Sequence, residues 1–227
     1  MVVKICGITR LADAQAAVAC GAHALGFVFW PKSPRFIDPF RARAIAAALP
    51  PFVAAVGVFV NQPAEYVNGV ASLVGLSAVQ LHGDEDETFA GAIRRPVIKA
   101  IGFGPGDVRI DGWPARYTLL LDAHDPDERG GTGRPIDWSR AASVAAARPV
   151  VLAGGLRPEN VAEAIRIVNP FGIDVSSGVE DAPGVKDHAR LRALFQALTE
   201  QTVLASQRRE RPSERRQVRG GGAPRTK

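Results

Sequence analysis

The sequence has little of what marks secreted or membrane-spanning proteins. Only two of its 227 residues are cysteines, Cys6 and Cys20, so no disulfide framework can stabilise it. No apolar run reaches the ~18 residues that a membrane-spanning helix needs, and the first residues lack the basic and apolar segments of a signal peptide. We therefore expect a soluble cytoplasmic protein without membrane partners.

A net positive charge is absent outside the C-terminal segment. The net charge is +5, but residues 206–227 hold seven Arg and one Lys against two Glu, which leaves residues 1–205 at −1. We interpret residues 1–205 as one catalytic domain and residues 206–227 as a disordered Arg-rich tail. No aromatic residue stands among these arginines to stack on bases, so nucleic-acid binding is not expected.

Short apolar runs alternate with longer Ala- and Leu-rich segments, which is typical of βα units. Eight runs predict strands, at residues 2–6, 23–29, 53–60, 78–82, 96–101, 117–122, 149–153 and 171–175. Helices are predicted at residues 11–20, 39–49, 64–73, 85–93, 138–147, 159–168 and 185–204. Residues 107–112 predict only a short or irregular turn, because Gly and Pro are frequent around them.

Eight buried strands joined by helices predict an α/β fold with a parallel sheet, and the count of eight favours a closed (β/α)₈ barrel, the TIM barrel, over an open sheet. Reactive groups of such barrels lie at the carboxyl ends of the strands. The residues at those ends are therefore the candidates for function.

The first and sixth strands end in reactive side chains. Cys6 ends the first strand beside Gly7, and Lys4 shares its face, so a nearby ammonium would favour the thiolate. The alternative is that Cys6 is a small buried apolar residue. Asp122 ends the sixth strand after an apolar run, where burial would suit it to act as an acid; the alternative is a capping role in the next loop.

Other strand ends suggest ligand contacts. Gln80 and His82 share one face of the fourth strand, and His82 is a candidate to orient a ligand or transfer a proton, although a lone histidine is more often structural. Arg35 lies in a proline-stiffened loop where its guanidinium could pair with a carboxylate; the alternative is a solvated charge.

Small residues follow the last three strands. The loops after the seventh and eighth strands predict a phosphate site through exposed backbone amides, as barrels often have there. Their residues are Gly154, Gly155, Ser176, Ser177 and Gly178, with Asp174 just before them. Gly131, within the run 130–133, marks a closing loop or a simple linker.

Six motifs in order resemble the phosphoribosylanthranilate isomerase family over about residues 1–200. They are KICGIT, GFVFWPKSPR, QLHGDE, LLLDA followed by GGTG, LAGGLRPENV and GIDVSSGVE. The resemblance implies a barrel enzyme of tryptophan biosynthesis that performs an Amadori rearrangement with Cys6 as base and Asp122 as acid. It further implies a phosphorylated small-molecule substrate, Arg35 on the anthranilate carboxylate, no cofactor or metal, and a monomer or homodimer.

Two other functions remain to be weighed. A histidine-pathway or dual-specificity sugar isomerase would perform the same rearrangement on a similar barrel, but it would carry an aspartate at position 6. A non-catalytic barrel could serve as a scaffold, with residues 206–227 as its working part. Cys6 argues against the first alternative, and the reactive strand ends argue against the second.

Overall fold

The structure is a computed structural model that describes residues 1–104, 110, 112–123 and 136–210. Within these residues, eight parallel strands close into a barrel in chain order, with β8 hydrogen-bonded to β1. The predicted (β/α)₈ fold is thus confirmed. The strands are β1 Val2–Ile5, β2 Ala24–Val28, β3 Ala54–Phe59, β4 Ala78–Leu81, β5 Val97–Gly102, β6 Thr118–Asp122, β7 Val150–Leu152 and β8 Gly172–Val175.

Helices cover the outside of the barrel. They are α1 Leu11–Cys20, α2 Pro39–Ala46, α3 Ala64–Val74, α4 Glu87–Gly91, α5 Trp138–Ala147, α6 Val161–Val168 and α7 His188–Glu210. The start of α2 shows how sequence fixes a boundary: Pro39 stands in the first turn and the Asp38 carboxylate accepts from the Phe40 N–H at 2.9 Å. None of the helices in the described part of the chain has the length and hydropathy to span a bilayer.

Strand residues alternate between two cores. Leu119 and Leu121 pack outward against the helices, whereas Leu120 packs with Ala100 and Val151 inside the barrel. Burial on both faces explains why β6 reads as an almost unbroken apolar run. The same alternation turns Asp122, two residues after Leu120, toward the interior.

The chain after β8 differs from the prediction. We expected a helix from residue 185, but Val185–Lys186 form strand β10, antiparallel to β9 at Glu180–Ala182, and the helix begins at His188. Pro183 and Gly184 make the tight turn between them, and Gly184 has a φ of +79°. The helix also runs to Glu210, past the predicted boundary at 205, and residues 211–227 lie outside the described residues.

Candidate active site

A cleft of about 720 Å³, including its open mouth, lies at the carboxyl ends of the strands. Its lining contains most of the side chains that the sequence singled out, namely Cys6, Arg35, Gln80, His82, Asp122, Gly154, Gly155, Asp174, Ser176 and Ser177. Gly178 stands behind Ser177 and does not line the cleft. Gly131 lies outside the described residues.

Cys6 sits at the base of the cleft, one residue after β1. Its N–H donates to the Val175 carbonyl at 2.9 Å, and its side chain packs beside Val28 and Val58 with 8% of the residue exposed. Gly26 leaves room for it, because a Cβ there would lie 2.7 Å from Cys6 Sγ and 3.1 Å from Lys4 Nζ. A glycine on β2 thus allows the thiol and an ammonium to share one space.

The ammonium of Lys4 partly offsets the effect of burial on the pKa of Cys6. Burial raises the pKa of the Cys6 thiol, the Lys4 ammonium lowers it by less, and the net pKa is above the usual range. Lys4 Nζ donates to both oxygens of Asp174 at 2.9 Å. Burial disfavours the charge on Lys4, but Asp174 and Cys6 outweigh burial and raise the pKa of this ammonium.

The raised pKa of Cys6 predicts slow alkylation at neutral pH. In a Cys20→Ala protein, the rate with iodoacetamide should rise with pH through a midpoint above the ordinary ~8.5, because only the thiolate reacts. Lys4→Met should move the midpoint higher still, since it removes the cation that lowers the thiol pKa. A midpoint below about pH 8 for the Cys20→Ala protein would contradict this electrostatic picture.

Asp122 ends β6 and belongs to a chain of polar side chains. Its Oδ1 accepts from the Ala123 N–H at 2.8 Å, and its Oδ2 lies 3.3 Å from His82 Nε2. His82 Nδ1 in turn lies 2.8 Å from Gln80 Nε2. The prediction that Gln80 and His82 share a face is confirmed, and both stand on the same side as the carboxylate.

Arg35 is held by a residue that the sequence analysis missed. Its Nε and Nη2 donate to the Glu180 carboxylate at 2.8–3.1 Å, and Lys186 Nζ donates to the same carboxylate at 2.7 Å. Burial would raise the pKa of Glu180, but Arg35 and Lys186 outweigh it and lower that pKa. The Pro183–Gly184 pair was the available signal, because it predicts the hairpin that places Glu180 and Lys186 together.

Lys186 joins the ends of β1 and β8. Its ammonium donates to the backbone carbonyl of Cys6 and to that of Ser176, the latter at 3.3 Å, and its pKa is lowered by burial. Ser176 Oγ also donates to the Cys6 carbonyl at 3.2 Å. The backbone that carries the thiol is therefore fixed to the loop that follows β8.

Backbone amides of the loops after β7 and β8 also line the cleft. Gly154 and Gly155 have φ values of +79° and +63°, which glycine adopts readily. Within the described residues, the N–H groups of Gly154, Gly155 and Ser176 have no hydrogen-bond acceptor. A Cβ on Gly178 would lie 1.9 Å from the Leu156 carbonyl oxygen, so the loops after β7 and β8 touch through this glycine. The loops thus offer unpaired donors of the kind that bind phosphate.

Comparison with known proteins agrees with this geometry. A family model described as N-(5'phosphoribosyl)anthranilate (PRA) isomerase matches residues 3–197. The N-(5'-phosphoribosyl)anthranilate isomerase of Hahella chejuensis is 52% identical over 186 residues, which are 81% of this chain and 87% of that protein.

Solved structures of the same family superpose on the barrel. The phosphoribosyl anthranilate isomerase of Thermus thermophilus has a TM-score of 0.81 and 47% identity, covering 88% of this chain and 99% of that one. One such isomerase, in complex with reduced 1-(o-carboxyphenylamino)-1-deoxyribulose 5-phosphate, has a TM-score of 0.77 and 44% identity, covering 88% and 100%. A monomeric form of the dimeric Thermotoga maritima isomerase has a TM-score of 0.75 and 43% identity, covering 88% of this chain and 99% of that one. This chain belongs to the N-(5'-phosphoribosyl)anthranilate isomerase family.

Proposed function

We propose that Cys6 is the general base and Asp122 the general acid of this isomerase. The reaction is the Amadori rearrangement of N-(5'-phosphoribosyl)anthranilate to 1-(2-carboxyphenylamino)-1-deoxyribulose 5-phosphate in L-tryptophan biosynthesis. The observation that carries the assignment is that one cleft holds both side chains together with the glycine- and serine-rich loops after β7 and β8. Turnover of the anthranilate substrate by purified wild-type and substituted protein tests it.

The reaction proceeds through proton transfers by these two side chains. Asp122 gives a proton to the furanose ring oxygen, the bond from that oxygen to C1′ breaks, and the nitrogen electron pair forms a protonated imine. Cys6 then takes the C2′ proton, and the C–H electrons neutralise the imine to give an enolamine. Protonation at C1′ and loss of the proton on the C2′ oxygen give the ketone. The imine is the electron sink.

A buried thiol with a raised pKa can still be the base in this sequence. The protonated imine brings a positive charge to the cleft at the step that needs the thiolate, and an opposite charge nearby favours the ionised form. Lys4 adds a second cation, held in place by Asp174. We propose that Asp174 acts on the ligand site mainly through Lys4, because both of its oxygens are engaged there.

The two anionic groups of the substrate are assigned to different donors of the cleft. We propose that the phosphate binds the backbone amides of Gly154, Gly155 and Ser176 with Ser177, supported by the absence of other acceptors for these amides in the described part of the chain. Arg35 would bind the anthranilate carboxylate through Nη1, since Glu180 already takes Nε and Nη2. His82 would face the sugar, and Gly131 remains a proposed contact from sequence alone.

Gly178→Ala should weaken substrate binding. The new methyl group cannot stand 1.9 Å from the Leu156 carbonyl, so both phosphate loops must shift, and KM should rise about tenfold. Gly91→Ala is the matched control, because a Cβ there meets no atom within 4 Å. Steady-state kinetics with circular dichroism as the folding check gives the comparison. A KM within twofold of wild type for Gly178→Ala would count against this loop contact.

We also propose that the chain is a homodimer in the cytoplasm. Cys6 and Cys20 are free thiols, which suits a reducing compartment. Three large apolar side chains stand exposed at the amino-terminal end of the barrel, opposite the cleft: Met1 at 52%, Phe52 at 97% and Phe171 at 55%. Such a patch is typical of an interface, and the related Thermotoga maritima isomerase is dimeric.

Sedimentation tests the dimer. Wild-type protein should sediment as a dimer, and Phe52→Ser should shift it toward the monomer, because the substitution removes the most exposed apolar side chain of the patch. Phe40→Ser, on α2 and 68% exposed, should leave the dimer intact. A monomeric wild-type protein at micromolar concentration would rule the proposal out.

A further inference from the structure

Among the described residues, the buried side-chain amide of Gln80 has only one hydrogen-bond partner. Its Nε2 lies 2.8 Å from His82 Nδ1, while Oε1 is without a partner in the part of the chain that the structure describes. Gln80 is 1% exposed, so bulk water does not replace the missing partner. Buried polar atoms are nearly always hydrogen-bonded, and an exception calls for an explanation.

His82 connects this amide to the acid of the proposed reaction. A neutral imidazole has one donor and one acceptor nitrogen. In the observed orientation Gln80 Nε2 donates to His82 Nδ1, so the proton of a neutral ring is on His82 Nε2, which lies 3.3 Å from Asp122 Oδ2. If the Gln80 amide turns over, Gln80 Oε1 accepts from a protonated His82 Nδ1. His82 Nε2 is then left to accept from a protonated Asp122.

The two amide orientations differ little in their other contacts. In the observed orientation, Gln80 Oε1 has no hydrogen-bond partner among the described residues, so turning the amide breaks no hydrogen bond other than the one to His82. The amide oxygen and nitrogen are also nearly the same size, so the cavity accepts either orientation. The protonation state of Asp122 therefore decides which orientation is favoured.

We propose that Gln80 is a two-way hydrogen-bond partner that lets His82 change tautomer whenever Asp122 gains or loses its proton. One proton distinguishes the two states: the one that Asp122 gives to the ring oxygen. The imidazole keeps a single N–H proton, which moves between its two nitrogens by exchange with solvent. The catalytic meaning rests on the proposed role of Asp122, whereas the coupling of Gln80, His82 and Asp122 does not. Gln80 is thus a positioning residue.

Asp122→Asn offers a fixed mimic of the protonated acid. The Ala123 N–H donates to Oδ1 at 2.8 Å, so the amide oxygen of the asparagine should take that place. The NH₂ group of the asparagine then faces His82 Nε2, which must accept a hydrogen bond from it. If the coupling exists, the ring proton moves to Nδ1 and the Gln80 amide turns over.

Imidazole ¹⁵N NMR tests the coupling without any activity measurement. The chain has four histidines, and loss of one signal set in His82→Asn assigns the residue. At pH 8, wild-type protein should carry the His82 proton on Nε2, and Asp122→Asn should carry it on Nδ1. The same protonated nitrogen in both proteins, or an imidazolium in both, would overturn the proposal.

Kinetics of Gln80 variants separates positioning from ligand contact. Gln80→Met offers no hydrogen-bonding amide and Gln80→Glu offers an acceptor-only carboxylate, so both should lower kcat about tenfold with KM within about twofold of wild type. In an Asp122→Asn background, Gln80→Met should add less than about twofold. A raised KM at unchanged kcat for the Gln80 variants would refute the positioning role. So would a loss of kcat on Gln80→Met that is equally large in wild-type and Asp122→Asn protein. Full activity of Asp122→Asn would instead refute the assignment of Asp122 as the general acid. The NMR result would still test the coupling of Gln80, His82 and Asp122.

Discussion

Cys6→Ala is expected to lower kcat by about two to four orders of magnitude with little change in KM, because no base then remains to take the C2′ proton. The thiol is 8% exposed and lies beside the Lys4–Asp174 pair at the base of the cleft. Alanine fills less of this space but removes no ligand contact that we assign. The measurement is steady-state turnover followed by the loss of anthranilate fluorescence.

Cys20→Ala is the matched control for this substitution. Cys20 is the other free cysteine and ends α1 on the outside of the barrel, so its replacement should leave kcat within about twofold of wild type. If Cys6→Ala kept more than half of the wild-type kcat while folded, the base would have to be sought elsewhere in the cleft.

Asp122→Asn is expected to lower kcat by a similar factor, about two to four orders of magnitude. Asparagine keeps the shape of the side chain and a hydrogen bond to Ala123, but it has no acidic proton for the ring oxygen. Ring opening should then limit the reaction. Substrate affinity should be nearly unchanged, which a fluorescence titration with the product measures.

Asp181→Asn provides the control for the loss of a carboxylate. Asp181 is exposed on β9 and does not line the cleft, so kcat should stay at the wild-type level. The double variant Cys6→Ala/Asp122→Asn should be little slower than either single variant, because acid and base act in one sequence. If the loss of kcat in the double variant equalled the product of the two single losses, the two side chains would act independently.

The sequence was sufficient to predict the barrel and most of the residues that line its cleft. Period-two alternation turns Leu120 and Asp122 to the same face, and a strand that ends in Cys6 before Gly7 places the thiol where barrel enzymes carry their chemistry. Local rules of this kind involve residues a few positions apart. They therefore hold before the tertiary structure is known.

Contacts between distant segments were not predictable in the same way. Lys4 and Asp174 lie 170 positions apart and become neighbours only because β8 closes on β1 in a register that pairs them. The Glu180 carboxylate reaches Arg35 across 145 positions, through a hairpin that we took for the start of a helix. Side-chain pairing of this kind depends on strand register, which a single sequence does not specify.

The nearest alternative enzyme class differs at the base. A histidine-pathway sugar isomerase would need an aspartate at position 6, where this chain has a cysteine packed against Gly26 with 2.7 Å between Sγ and a Cβ built there. The cysteine at position 6 and the family match over residues 3–197 both favour the anthranilate substrate class.

The most direct test is turnover of two substrates by the purified chain. Wild-type protein should convert N-(5'-phosphoribosyl)anthranilate and leave the aminoaldose of the histidine pathway unchanged, and the Cys6→Ala/Asp122→Asn protein should convert neither at a comparable rate. Conversion of the histidine-pathway substrate alone, or undiminished turnover by the folded double variant, would contradict the account.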